Sequence, residues 1–233
     1  MSMVFKLTGM QTVSPTRRVP GVSLFPGGYG ADSHTMLLHK LDEGEGTIAV
    51  DYSGQGNDGE ILGAQWDSGK YGYGLYCDGV NDHMVVPHDP TLNLPADFCI
   101  EAWIWMEFSF NQRIIEKPGA YDIRITQIPF LNIIRFDAGV WNAGVRQNIQ
   151  TQWNYDLEVW THVAFRRDTD GYLSLVIDGV EDAVSGTPYD PPDAVSDDLY
   201  IGRGAGGYYF QGFMDEVRVS DCFRELSELD PNT

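Results

Sequence analysis

From residue 35 onward hydrophobic residues fall in short strand-like runs separated by turn signals, and in one run they alternate with polar ones with a period of two, the mark of a strand with two distinct faces. The cleanest run spans residues 98–108, where Phe98, Ile100, Ala102, Ile104 and Met106 interleave with Cys99, Glu101, Trp103, Trp105 and Glu107. Shorter runs predict strands at 35–41, 47–51, 74–77, 83–86, 113–116, 121–127, 131–136, 161–166, 172–177, 199–202 and 213–220. Turn formers separate them. Residues 53–59 (Ser-Gly-Gln-Gly-Asn-Asp-Gly) need backbone angles that only Gly, Asn and Asp adopt cheaply. Asp168-Thr-Asp-Gly reads as a hairpin turn, and the glycines of 202–207 as a hairpin between two closing strands. Only 223–229 has a helical flavour. Many short antiparallel strands predict an all-β fold, a two-sheet jelly-roll sandwich.

Composition agrees. The 233 residues include 26 Gly, 12 Pro and 12% aromatics, and 42% hydrophobic residues suffice for one core. The net charge of −19 argues against nucleic acid as a partner, since phosphate contacts need clustered Lys and Arg. No apolar run approaches the roughly 20 residues that span a bilayer, so no membrane partner is expected. The charge is uneven. Residues 1–31 hold Lys6, Arg17 and Arg18 and no acid, a charge of +3, before a body at −22. This divides the chain into an extended N-terminal arm, 1–33, and a domain, 34–233. The start of the chain lacks the apolar stretch of a signal peptide. Cys77, Cys99 and Cys222 show no zinc-type spacing with each other or with His, and are expected as small hydrophobes.

Blocks in order carry a resemblance. Residues 34–46 and 51–59 open it. Gly74-Leu-Tyr-Cys-Asp-Gly-Val-Asn-Asp-His-Met-Val-Val-Pro87 and Asp97-Phe-Cys-Ile-Glu-Ala-Trp-Ile104 continue it. Trp160-Thr-His-Val-Ala164, Leu175-Val-Ile-Asp-Gly179, Tyr200-Ile-Gly-Arg203 and Phe213-Met-Asp-Glu-Val-Arg-Val-Ser220 close it. Together they resemble laminin G-like domains of the concanavalin A-like superfamily over about residues 34–229. The resemblance implies two curved sheets and, often, a structural calcium ion. Asp51, Asn57 and Asp58 offer oxygens on one loop, and Asp215 matches a family position near the ion. The same Asx residues also suit turn caps closed on their own backbone.

No catalytic residue is expected. Glu101 and Glu107 share a strand face but stand about 20 Å apart by strand rise, too far to flank a glycosidic bond. There is no HExxH or GxSxG motif, and Gly202-Arg-Gly-Ala-Gly-Gly207 is followed by aromatics rather than by a helix. Trp103 and Trp105, flanked by Glu101 and Glu107 and followed by Trp141, Trp153 and Tyr155, form a candidate glycan platform. The competing reading covers that face with the protein's own loops. The arm, with anchors Phe5, Arg17, Arg18 and Phe25, suits docking into a groove of a neighbouring subunit. By analogy of fold, this predicts a non-enzymatic phage or virus particle protein, a head decoration or tail subunit. Its partners would be other virion subunits or copies of itself. The alternative is an extracellular carbohydrate-binding or adhesion domain excised from a larger secreted protein.

Overall fold

The structure is a computed structural model that describes residues 28–229 apart from 95, 109, 129 and 132. The strands run β1 (Thr35–His39), β2 (Ile48–Ala49), β3 (Gly59–Leu62), β4 (Gln65–Ser68), β5 (Tyr73–Asp78), β6 (His83–Val86), β7 (Phe98–Met106) and β8 (Gln112–Lys117). They continue as β9 (Tyr121–Ile128), β10 (Ile133–Asn142), β11 (Val145–Gln150), β12 (Trp160–Arg167), β13 (Leu173–Ile177), β14 (Val180–Val184), β15 (Leu199–Ile201) and β16 (Gln211–Ser220).

Two antiparallel sheets face each other. The first is ordered β14-β13-β12-β7-β16-β5-β4, with β1 also on β16, and the second β11-β10-β9-β8-β15-β6-β3-β2. The alternation in β7 works as the sequence implies. Phe98, Ile100, Ala102, Ile104 and Met106 enter the core between the sheets, against Ile115, Ile123, Phe136 and Val140 of the second sheet.

Strand β16 changes partner along its length. Its first half pairs with β5 and its second with β1, while β7 flanks both. The change falls at a bulge between Asp215 and Arg218, where Glu216 takes a left-handed φ of 48°. Earlier on the strand, a Cβ on Gly212 would meet the Trp105 carbonyl oxygen at 1.9 Å, so only glycine lets β16 lie against β7 there.

One expectation is corrected. The 202–207 glycines do not close a hairpin, because β15 belongs to the second sheet and β16 to the first; the loop crosses between sheets. The helical flavour of 223–229 takes the form of a single 3-10 turn, Leu226–Glu228, which carries the chain over the outer face of the first sheet.

Candidate functional site

The outer face of β7 is roofed. Glu101 is fully buried: Arg218 Nε donates to its Oε1 at 2.7 Å, and His162 Nε2 lies 3.0 Å from its Oε2. Tyr29 completes the cluster. Its ring lies under the Arg218 guanidinium at 3.9 Å, its hydroxyl donates to the Leu229 carbonyl at 2.6 Å, and that oxygen stands 2.7 Å from His162 Nε2. Since Tyr29 donates to Leu229, and Glu101 is an acceptor, His162 Nε2 carries the hydrogen that they share. Trp103 is 7% exposed, covered by the Tyr71 edge and by the Lys70 ammonium 4.0 Å above its ring.

The four-residue platform is therefore corrected. Glu101 and Trp103 are internal, and only Trp105 and Glu107 reach the surface, Trp105 edge-on to Trp160 and Glu107 accepting from Tyr76 Oη at 3.2 Å. The physical reason is that both ends of the described chain need somewhere to bury their apolar groups. Leu229 packs on Cys99, Ala164 and Val176 across this face.

The residues expected around calcium do not converge. Asp51 acts as a cap: its oxygens accept from Leu38 N, Ser53 N, Ser53 Oγ and Asn57 N at 2.6–2.9 Å, which fills its lone pairs. Asp58 accepts from Asp51 N, and the Asn57 amide donates to Met36 O and Thr91 Oγ1. Asp215 is buried elsewhere, accepting from Tyr71 N and Glu216 N. This donor set, spent on backbone, does not fit a calcium cage. The arm anchors Phe5, Arg17, Arg18 and Phe25 lie outside the described residues.

An open hollow of about 300 Å³ lies where the 151–159 loop meets the β13–β14 turn. That volume is at the lower end of the roughly 300–1,000 Å³ typical of small-molecule sites. Trp153 stands 70% exposed at its rim, and Tyr155, half-buried, forms its floor against the ring of Phe136 at 4.9 Å. Asp178, Glu181 and Asp182 line the other side, beside Ile177 and Val180.

Each acid is held. Asp178 and Gly179 both have positive φ, 49° and 76°, as a tight two-residue hairpin turn requires. Asp178 Oδ1 accepts from His162 N at 2.8 Å. Asp182 accepts from Gln152 N at 2.9 Å and from Tyr155 Oη at 2.7 Å, and burial together with that carboxylate raises the Tyr155 phenol. Glu181 is paired with Arg166 at 2.7 Å. The hollow thus offers an exposed flat ring, a second aromatic and three fixed acceptors, and no residue lining it is basic. In the sequence, Trp153 and Tyr155 are visible as loop aromatics; their acidic partners are not, because the β13–β14 hairpin carries them from a separate segment.

The outer face of the second sheet is also polar, but its charges satisfy one another. Arg146 Nη2 meets Asp122 and Asp137 at 2.6 and 2.5 Å, Arg124 bridges the same two acids, and Arg113 binds Glu116 at 2.9 Å.

With the fold and this geometry in place, the comparisons agree on class. The family model described as the concanavalin A-like lectin/glucanases superfamily, Laminin_G_3, matches residues 78–230, and the chain belongs to that family. No curated protein matches the sequence at a significant level. Among solved structures, domain 4 of AbnA, an extracellular GH43 arabinanase from Geobacillus stearothermophilus solved with arabinotriose, is similar at TM-score 0.66 and 18% identity, over 84% of this chain and 96% of that one. The binding domain of botulinum neurotoxin DC, solved with SialylT, is similar at TM-score 0.62 and 15% identity, over 84% of this chain and 50% of that one. A putative carbohydrate binding protein from Bacteroides ovatus is similar at TM-score 0.55 and 26% identity, over 67% of this chain and 45% of that one. The chain therefore spans about half the length of the latter two.

Proposed function

We propose that the chain is a non-catalytic carbohydrate-binding module whose ligand is a saccharide without acid groups, held in the hollow of Trp153, Tyr155, Asp178 and Asp182. The observation that carries this reading is an indole 70% exposed beside acids fixed by main-chain hydrogen bonds. Flat rings stack on the apolar faces of sugars, and ionised carboxylates accept from hydroxyls. The acids, with no basic lining residue, repel anionic sugars. Family membership and neighbours solved with arabinotriose and SialylT support the general class. The burial of Glu101 in an ion pair supports binding without hydrolysis, since it removes the tempting carboxylate from any sugar.

The particle-subunit reading rests on the arm, whose anchors lie outside the described residues, and on analogy of fold. It stands as a proposal about attachment, beside the glycan reading of the domain.

A glycan array tests the function. Neutral glycans should be retained and sialylated or uronate-bearing ones excluded. Trp153→Ala should weaken binding by about 1–3 kcal/mol, roughly five- to a hundredfold or more, at an unchanged melting temperature. Preferential retention of acidic glycans, or an indifferent Trp153→Ala variant, would overturn it.

A further inference from the structure

A different cluster lies at the edge of the first sheet, where the chain enters β1 and leaves β16. A ring nitrogen of His34, an Asp221 carboxylate oxygen and Cys222 Sγ all lie within 4.8 Å of one another. Among the described residues no other trio of His, Cys, Asp or Glu ligand atoms is so close.

The backbone holds the three in place. Thr35 pairs with Ser220, and Asp221 N donates to the His34 carbonyl at 3.0 Å, so the ligands flank a closed rung of the β1–β16 ladder. Behind them the buried Arg224 grips Asp32 with two bonds of 2.9 Å, and Asp32 in turn accepts from His34 N at 2.9 Å. The frame is rigid, while the side chains face outward: those of His34 and Asp221 are 59% and 34% exposed, an open path for an ion.

We propose that His34, Asp221 and Cys222 bind a divalent transition-metal ion of the zinc class, with a fourth position left to water or to a partner's ligand. The donor set argues for this chemistry. A thiolate and an imidazole are borderline-to-soft ligands that suit zinc and its neighbours, whereas calcium and magnesium take oxygen alone. The spacing fits as well. Ligands at about 2.0–2.3 Å on a tetrahedral centre lie roughly 3.3–3.6 Å from one another. His34 Nδ1 and Asp221 Oδ1 are already 3.0 Å apart, so an ion would replace their hydrogen bond with a shift of a few tenths of an ångström, and the Cys222 thiol, within 4.8 Å of both, would close in by about 1 Å through a χ1 adjustment. Among the described residues acting on the thiol, Arg224 is the one positive charge, but it is engaged by both oxygens of Asp32 at 2.9 Å and lies 3.6 Å from Glu228, so the three acids Asp32, Asp221 and Glu228 outweigh it and attract a cation. Binding displaces the thiol proton to solvent, as it does wherever cysteine ligates zinc. The ion would clip the first strand of the domain to the last.

Cobalt(II) is the probe. The full chain, reduced and stripped with chelator, should develop a thiolate-to-cobalt charge-transfer band and the intense visible bands of a tetrahedral site, saturating at one equivalent and abolished by zinc. Cys222→Ser should lose the charge-transfer band, and His34→Ala should weaken binding at least tenfold. Both variants should keep the native melting temperature in chelator, which separates ligation from folding. Zinc should raise the melting temperature of the native chain and not that of Cys222→Ser. Absence of the band at equimolar cobalt, or its persistence in Cys222→Ser, would overturn the assignment. Neither result bears on glycan binding, which involves other residues.

Discussion

Glu216 shows at the scale of one residue what a bulge costs. Its left-handed backbone turns the side chain inward beside Asp215, where Tyr29 N donates to one oxygen at 2.8 Å and the other has no hydrogen-bond partner. Burial raises its carboxyl from 4.5 to about 7, and raises Asp215 in the same direction. An acid raised on folding contributes stability that is full below its unfolded value and lost as pH rises through the folded one. Glu216 should therefore stabilise the protein below about pH 4.5 and lose on the order of 3 kcal/mol of that by pH 8. His39 and His83, which burial pushes down, act oppositely as pH falls, so the native curve alone mixes these effects. The difference between native and Glu216→Gln isolates the glutamate. Chemical denaturation from pH 5 to 8 should show the native protein losing stability relative to the variant. Parallel curves would refute the assignment. The sequence hides this, because Asp215-Glu216 sits inside a run that otherwise alternates as an ordinary strand.

At the scale of elements, β7 is legible because it is central: one row enters the core and period two is unbroken. Strand β14 (Val-Glu-Asp-Ala-Val) is not, because an edge strand with mostly solvated residues shows no such pattern. The platform misleads for a related reason. Periodicity tells which side chains share the outer face of β7, but not that Tyr29 and Leu229 cover it from the two ends of the domain. His34 and Asp221, 187 positions apart, are likewise joined only by strand pairing. Tyr29 also moves the working boundary of the domain upstream of residue 34, since the segment 28–33 supplies Tyr29 and Asp32 to buried partners. Removing residues 1–27 should leave the melting temperature within a few degrees of native. Removing 1–31, or making Tyr29→Ala, deletes the ring over Arg218 and uncovers a buried ion pair, at a cost of about 2–4 kcal/mol, or roughly 5–15 °C. Tyr29→Phe, which keeps the ring, should cost about 1 kcal/mol. Equal melting temperatures for the two truncations would show that Tyr29 contributes nothing.

At the scale of the whole molecule, two polar surfaces of the described residues contrast as sugar sites. On the outer face of the second sheet, arginines and acids neutralise each other in place, and a ligand would have to break those pairs. In the hollow, Asp178 and Asp182 are anchored by backbone donors and only Glu181 by an arginine, and a broad indole faces solvent with little to pack against. The concanavalin A-like class was legible in the sequence from ordered blocks and turn chemistry. The hollow was not, since it joins a loop at 151–159 to an edge hairpin that only the fold brings near. Nuclear magnetic resonance mapping of the isotopically labelled chain, titrated with a neutral oligosaccharide, tests this assignment most directly. Saturable amide shifts should centre on residues 151–158 and 177–182, with the Trp153 indole signal among the largest. Shifts centred instead on Arg113, Arg124 and Arg146 of the second sheet, or no shifts with any neutral oligosaccharide of a broad panel, would contradict it.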